Sequence, residues 1–211
     1  MSGYATYDFD PLTLPVVHVP VVKADEKSLE GYGILTPSFD PSLVDIVPWP
    51  RPPASTRPLM AGTGRGGGLI VDEFDMWLGD DHKIRAHNKG LGNDPYTTGL
   101  LLKDGLVVTR EANYHPDSSQ QFFPQDENAF YLLLALPSDD VTASDFTAFY
   151  FDGSCGCQIH PGVWHQPPYF CNRGMRGSFH NAQGAVHACV GYDSLDEQGV
   201  LLGFDVATPI M

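Results

Sequence analysis

Glycine and proline recur too often along this chain for long helices to form. Its 211 residues include 22 glycines and 18 prolines, and both residue types end helices and mark turns. From about residue 68 onward, short apolar or alternating runs such as GLIVDEFDMW, NAFYLLLAL and FTAFYFDG are separated by Gly, Asp, Asn, Ser or Pro. Many short strands joined by turns are typical of sandwiches and barrels. The sequence therefore predicts an all-β protein with a closed or rolled sheet.

The run LLLKDGLVVTR contains the clearest local signal. Asp104-Gly105 between two apolar stretches predicts a two-residue hairpin turn. Helical structure is expected at two places: a short helix capped by Asp25 in DEKSLEGYG, and a helical turn within SDDVTASDFTAF.

The chain is expected to divide into an arm and one β domain. Residues 1–58 are proline-rich, so we expect an extended arm that packs on the core and could also cover a neighbouring subunit. Residues 59–211 form the predicted β domain. The glycine run GTGRGGG, residues 62–68, formally matches G-x-G-x-x-G, but a dinucleotide site needs a preceding strand and a following helix. Pro58 precedes it and a strand-like run follows, so we interpret it as a loop.

The charge of the chain excludes polyanionic partners. With 26 acidic and 12 basic residues, the formal net charge is −14, whereas nucleic acids and anionic membranes bind clustered Lys and Arg. No apolar run approaches the roughly 20 residues of a membrane helix, and MSGYATYDFD lacks the pattern of a signal peptide. We therefore expect a cytoplasmic protein. Its four cysteines are then predicted to be free thiols rather than disulfides or a zinc site: Cys155, Cys157, Cys171 and Cys189.

Two polar segments interrupt the β pattern, and the first is REANYHPDSSQQFFP. If it is a strand, alternation places Glu111, Asn113 and His115 on one face. A polar face of this kind is typical of a strand that lines a solvent-filled pocket and not of one that packs on an apolar core. Tyr114 alternates away from His115 and is expected in the core.

The second polar segment is QIHPGVWHQPPY, in which Pro161-Gly162 predicts a turn between His160 and His165. Such a turn holds a following side chain rigidly, as a functional histidine requires. The alternative is that both histidines only cap backbone carbonyls.

These segments resemble the two motif blocks of the cupin double-stranded β-helix. His115 and His165 stand where cupins place metal-binding histidines, whereas Asn113 and Gln120 replace a histidine and a glutamate. Amide oxygens are weaker ligands for a transition metal. A closer resemblance is to the ureidoglycolate lyase family, through REANYHPDSSQQFFPQDENAFYLLLALP and FTAFYFDGSCGCQIHPGVWHQPPY. It covers about residues 105–195, while residues 38–100 have no match.

The resemblance implies a cupin jelly roll that releases urea from ureidoglycolate and leaves glyoxylate, as a homodimer. This elimination needs a base that removes the hydroxyl proton and an acid that protonates the leaving nitrogen. It also needs a cationic or hydrogen-bonding group that binds the carboxylate. The expected catalytic residues are His115, His160, His165 and Glu111. The expected substrate-binding residues are Gln120, Arg110, Asn113, Trp164, Arg85 and Lys89, with Lys83 as a further basic candidate. Trp164 is interpreted first as a packing residue and only second as a residue that stacks on a substrate, and HKIRAHNKG is interpreted first as a solvated loop.

Three alternatives stay open. A related lyase could act on another small hydroxy or sugar acid. A metal-dependent isomerase or dioxygenase would bind a divalent ion through His115, His165, Glu111 and Gln120. A non-catalytic cupin would bind a small molecule without turnover. No role is predicted for the remaining histidines, namely His18, His82, His87, His180 and His187.

Overall fold

A computed structural model describes residues 6–48, 57–61, 68–170 and 176–206. Within these ranges the strands are β1 (Val16–His18), β2 (Val21–Lys23), β3 (Gly33–Thr36), β4 (Leu59–Ala61), β5 (Leu69–Leu78), β6 (Lys83–Asn88), β7 (Tyr96–Leu101), β8 (Leu106–Thr109), β9 (Glu111–Tyr114), β10 (Gln120–Pro124), β11 (Phe130–Ala135), β12 (Thr147–Phe151), β13 (Gly156–Ile159), β14 (Trp164–His165), β15 (Tyr169–Phe170), β16 (Arg176–Gly184), β17 (Cys189–Asp193) and β18 (Leu201–Asp205). The described helical elements are α1 (Ser194–Gln198) and the 3₁₀ turns Pro11–Thr13, Pro41–Leu43, Lys89–Leu91 and Ala143–Asp145.

The described strands form two sheets, which confirms the all-β class. The ten-stranded sheet has the order β1-β18-β8-β7-β6-β5-β16-β10-β13-β3. The eight-stranded sheet includes β2-β12-β11-β14-β9-β17-β4, and β15 also pairs with β11. Two mixed sheets around one core are consistent with the cupin-type roll that the resemblance implies.

Strands of the proline-rich N-terminal segment lie at sheet edges. β1 pairs in parallel with β18, and β3 pairs with β13, so they occupy both edges of the ten-stranded sheet. β2 pairs in parallel with β12 at one edge of the eight-stranded sheet. Because an open edge exposes unpaired backbone groups, these short strands protect the long strands inside them.

Stacked aromatic rings join the two sheets. Phe130 of β11 is fully buried and stacks on Phe151 with ring centres 4.6 Å apart. The same ring meets Phe179 of β16, in the other sheet, edge-on at 5.0 Å. Face and edge contacts of this kind add to the free energy of burying the rings.

One of the three local predictions is confirmed in full, and the other two differ from the structure. β7 and β8 form the predicted hairpin, but its loop has three residues. The Leu102 N–H donates to the carbonyl of Leu106 (2.8 Å), and Gly105 adopts φ 83° behind the Lys103-Asp104 turn. Glycine is needed at that left-handed position, which is the three-residue alternative to a two-residue turn.

The second difference is the helix expected after Asp25. Asp25 accepts the N–H of Ser28 (2.7 Å) like a cap, yet the residues that follow form successive turns and no helix. The helical turn at Ala143–Asp145 is confirmed, with a capping box between Thr142 and Asp145.

Residues 62–67 of the glycine run and Cys171 lie outside the described residues. No helix in the described part of the chain is long and apolar enough to cross a membrane.

We expect Phe130→Ala to lower the free energy of unfolding by about 3 to 5 kcal/mol, because it leaves a cavity where the two sheets meet. Urea denaturation measures this change. Leu12→Ala is the control, since Leu12 is 82% exposed and its truncation should change stability by less than about 0.5 kcal/mol. Equal effects of the two substitutions would contradict this account of the core.

Candidate functional site

Strand β9 has a neighbour on each side, and this pairing assembles the site. It pairs with β14 through Asn113 and His165, and with β17 through Tyr114 and Val190. His115 directly follows β9, and Cys189 directly precedes Val190. Directly opposed residues of neighbouring strands bring their side chains together, so His115, His165 and Cys189 meet although they are distant in sequence.

The predicted turn before His165 is present. Gly162 adopts φ 83°, and the Val163 N–H donates to the carbonyl of His160 (3.2 Å). Proline followed by glycine with positive φ is typical of a type II turn. The Gly162 N–H also donates to the carbonyl of His115 (3.1 Å). The turn is thereby fixed to the segment whose imidazole lies beside that of His165.

Three imidazoles and one thiol form the centre of the site. The ring centre of His115 lies 5.1 Å from that of His165 and 4.8 Å from that of His187. Cys189 places Sγ 3.4 Å from Nδ1 of His115. His187 has φ 48°, a left-handed conformation that residues other than glycine seldom adopt and that is enriched at functional sites.

His187 and Cys189 were not predicted as site residues. They are two residues apart, the strand spacing that also places Asn113 and His115 on one face. It could have grouped them on one face, but it could not show that this face adjoins β9.

Backbone carbonyls fix hydrogen positions on two rings. Nδ1 of His115 lies 2.9 Å from the carbonyl of Ala188, and Nδ1 of His165 lies 2.8 Å from that of Val163. A carbonyl only accepts, so each Nδ1 carries hydrogen. In neutral His115 the lone pair is then on Nε2. Nε2 of His165 lies 2.9 Å from Oε1 of Gln120, so both nitrogens of His165 are engaged.

Burial keeps the imidazoles neutral. It lowers the pKa of His165 and of His187 to about 3, with a further contribution from the His115 ring. It also lowers the pKa of His115, against the opposing effects of the Ala188 carbonyl, the Asp117 charge and Gln120. Burial, followed by the charge of Asp117, raises the pKa of Cys189 to about 12. Near neutral pH the site therefore holds uncharged bases and a thiol.

Two buried oxygens beside the imidazoles lack hydrogen-bond partners among the described residues: Oδ2 of Asp117 and Oδ1 of Asn113. The other Asp117 oxygen accepts the Ala188 N–H (3.0 Å), so the carboxylate and His115 share one anchoring residue. Asp117 also borders a cavity of about 210 Å³, together with Ile46 and Gly184. Unpartnered buried acceptors are costly, and a ligand with N–H groups would relieve that cost.

The structure separates the predicted acid, Glu111, from His115. Glu111 begins β9 and His115 follows its end, which separates them by about 13 Å at 3.3 Å per residue. The buried Tyr169, whose pKa is raised by burial first and by the charge of Glu111 second, lies near Glu111 instead. The carbonyl of Ala188, and not Glu111, therefore orients the ring of His115.

Every predicted basic residue is paired with carboxylates. Arg110 contacts Asp193 (2.7 Å) and Asp196 (2.6 Å). The remaining pairs are Arg85 with Asp81, Lys89 with Glu73 and Asp75, and Lys83 with Asp8. Carboxylates of this acidic chain neutralise these cations, so none of them is free to bind a substrate carboxylate.

Trp164 packs inside the protein, and His160 lies in the turn that precedes His165. Trp164 is fully buried, donates its indole N–H to the carbonyl of Ser138 (3.0 Å) and meets Tyr114 edge-on. It is a packing residue, and so is Tyr114. His160 is half-buried, and its main chain makes its hydrogen bonds, including N–H to the Tyr32 carbonyl (3.0 Å).

His115, His187 and Cys189 lie close enough together to hold a metal ion, with ligand atoms within 4.8 Å of one another. Two imidazoles and a thiolate are donors that zinc accepts. Tetrahedral zinc would need these atoms roughly 3.5 Å apart, and the Cys189 thiol would have to lose its proton. The trio fits zinc in kind, and its thiol sulfur lies near that spacing, 3.4 Å from Nδ1 of His115 and 3.8 Å from Nε2 of His187. The predicted set differs from it, because His165 has both nitrogens engaged and Glu111 is distant.

Comparisons with known proteins find similarity over the segment that contains the three imidazoles. The family model described as ureidoglycolate lyase matches residues 110–187, which include all three imidazoles. Proteins named ureidoglycolate lyase from Salmonella paratyphi B, Salmonella newport and Salmonella typhimurium are each 36% identical over 61 residues. That stretch is 29% of this chain and 38% of each relative, so the match spans well under half of either protein.

The neutral histidines predict acid sensitivity of the fold. Unfolded histidine takes up a proton below about pH 6.5, whereas His165 and His187 stay neutral in the folded protein down to about 3. The two neutral rings therefore contribute fully to the free energy of unfolding above pH 6.5. This contribution is lost as the pH falls from 6.5 towards 3. Each should lower the free energy of unfolding by up to about 1.4 kcal/mol per pH unit.

Urea denaturation at pH 7 and pH 5 tests this expectation. His165→Asn should reduce the loss of stability between the two pH values, whereas His18→Asn, at an exposed position of β1, should leave it unchanged. An unaltered loss in His165→Asn would show that this ring is not held neutral by burial.

Proposed function

We propose that the protein is a carbon–nitrogen lyase that converts ureidoglycolate to urea and glyoxylate, and the match of residues 110–187 to the ureidoglycolate lyase family model supports this proposal. The observation that carries the proposal is the neutral His115, whose Nδ1 is fixed on the carbonyl of Ala188 and whose Nε2 therefore bears a lone pair. A positioned neutral imidazole is the group that this elimination requires as a base.

One imidazole suffices for both proton transfers in this proposal. Nε2 of His115 removes the proton of the substrate hydroxyl, and the C–O bond becomes the carbonyl of glyoxylate. The electron pair of the breaking C–N bond goes to the leaving nitrogen, which takes the same proton from His115. Because the proton moves from oxygen to nitrogen, His115 ends each turnover neutral, as its burial favours.

The unpartnered oxygens support a ureido substrate. A ureido group offers several N–H donors, and Asn113 and Asp117 each present a buried oxygen without a partner beside the imidazoles. A substrate that donates N–H groups to them would satisfy both. The hydroxyl groups of a sugar acid can donate to the same oxygens, so turnover of the two substrates, and not these acceptors, distinguishes the alternatives.

The homodimer, the cytoplasmic location and a role in purine breakdown through allantoin are part of this proposal. They rest on the resemblance and on the composition of the chain.

We expect the purified protein to release glyoxylate from ureidoglycolate and His115→Asn to lower kcat by about 10² to 10⁴-fold, the usual contribution of a general base. A coupled assay for glyoxylate measures both. His18→Asn, at an exposed position of β1, which pairs with β18 in the other sheet, is the matched control and should retain activity. Absence of glyoxylate from well-folded wild-type protein would refute the named substrate.

The His115, His187 and Cys189 trio favours a second candidate, a metal-dependent cupin enzyme. A bound divalent ion would supply Lewis-acid chemistry, and these three residues would hold it. Dialysis against a chelator distinguishes the candidates: the metal-dependent enzyme loses activity and regains it with zinc, whereas the base mechanism is unaffected. A non-catalytic cupin would bind ureidoglycolate, measured by calorimetry, without releasing glyoxylate.

A further inference from the structure

A buried glutamine that the proposed reaction does not use lies beside the site. Gln183 of β16 is 1% exposed, and neither Nε2 nor Oε1 of its side chain has a hydrogen-bond partner among the described residues. A buried amide without partners costs free energy, because the hydrogen bonds that it makes with water in the unfolded chain are not replaced. A ligand that supplies the missing partners would offset this cost.

Strand pairing places Gln183 next to the site. β16 pairs with β10, and Gln183 lies directly opposite Gln120. Directly opposed side chains point to the same face of a sheet, with Cβ atoms about 4.5 to 5.5 Å apart. Gln120 uses its two amide atoms to contact Asn181 (2.9 Å) and His165 (2.9 Å). Gln183 is therefore directly beside a residue that contacts His165, while its own amide stays without a partner.

The inward face of β16 changes from apolar to polar towards the site. Phe179, Asn181 and Gln183 alternate along this strand and so share one face. Phe179 is fully buried and meets Phe130 edge-on at 5.0 Å in the core between the sheets. Gly184, the residue after Gln183, borders the cavity of about 210 Å³. A few polar groups at the edge of an apolar core are typical of a small-molecule site.

The site otherwise lacks a donor for the substrate carboxylate. The predicted cations are paired with acidic residues, and the unpartnered oxygens of Asn113 and Asp117 can only accept. A carboxylate also only accepts, so it needs an N–H or O–H group. Nε2 of Gln183 carries two N–H groups. Gln121 holds another unpartnered buried nitrogen of the described residues, but as the neighbour of Gln120 on β10 it points to the opposite face.

We propose that Gln183 is a substrate-binding residue whose Nε2 donates to the carboxylate of a small hydroxy acid and whose Oε1 accepts a ureido N–H of the same molecule. Hydrogen bonds from neutral donors are stronger in a buried site than in water, so an amide can bind the anion without a cation. This inference rests on the proposed function and names the group that binds the carboxylate in it.

Ureidoacetate tests the inference without turnover, because it has the ureido and carboxylate groups but lacks the hydroxyl that the elimination needs. We expect calorimetry to show that Gln183→Met weakens its binding by about 10- to 100-fold, the loss that follows removal of a hydrogen bond to a charged group. Ureidoacetamide, in which an uncharged amide replaces the carboxylate, should be weakened by a smaller factor.

Gln121→Met is the matched control, because Gln121 is also fully buried on β10 but belongs to the opposite face. It should bind ureidoacetate as the wild type does. Equal binding by the wild type and Gln183→Met would overturn the inference, and so would an equal loss in Gln121→Met. Ureidoacetamide weakened as much as ureidoacetate would show that Gln183 does not bind the carboxylate.

Stability separates a binding role from a structural one. Methionine resembles glutamine in length and has no N–H or C=O group that needs a partner, so Gln183→Met should unfold at the same urea concentration as the wild type or at a higher one. A lower midpoint, or failure to fold, would show that the amide stabilises the fold and would overturn the inference.

Turnover gives a further readout. We expect Gln183→Met to raise KM for ureidoglycolate by about 10- to 100-fold and to change kcat by less than about threefold, because a contact with the carboxylate is made equally in the ground state and the transition state. An unchanged KM beside normal wild-type turnover would overturn the inference and leave the proposed function intact. If Gln183→Met weakens ureidoacetate as expected but the wild type releases no glyoxylate, the proposed reaction fails and the binding role of Gln183 stands.

Discussion

The pairing of strand β9 with β14 on one side and β17 on the other is the constraint on which the site depends. This pairing fixes His165 opposite Asn113 and Val190 opposite Tyr114. Each side chain of the site comes from a different β-strand or from a residue beside one, and a slip of one residue would turn it to the opposite face of the sheet. The type II turn at Pro161-Gly162, which is hydrogen-bonded to the carbonyl of His115, opposes such a slip.

Burial then determines what these side chains can do. A highly acidic chain would be expected to surround its histidines with carboxylates and raise their pKa values. Here Asp117 is the carboxylate whose charge acts on His115, but the loss of water dominates, so the pKa values of the imidazoles fall. Many of the other acidic residues are instead paired with the few cations, as in the contact of Arg110 with Asp193. The result is an uncharged basic site within an acidic protein, which suits abstraction of a hydroxyl proton.

The sequence predicts the local structure well and the non-local structure poorly. Gly and Pro spacing indicates the all-β class, and Pro161-Gly162 indicates the turn, because both are properties of neighbouring residues. His115 and His165 were recognisable from motif spacing. The role of His187 depends on which strand lies beside β9, and the distance of Glu111 from His115 depends on how far β9 extends. The ion pair of Arg110 likewise joins residues 83 positions apart in sequence, which periodicity does not reveal.

The dependence of kcat/KM on pH tests the central claim, that a buried neutral His115 removes the substrate proton, most directly. The acid limb of this profile reports the pKa of the base in the free enzyme. Because burial lowers the pKa of His115, the account predicts full activity from neutral pH down to below about 6.5, the ordinary value for histidine, with loss only at lower pH. An acid limb at or above that value would show that the base is an exposed or carboxylate-paired group, and would contradict the assignment.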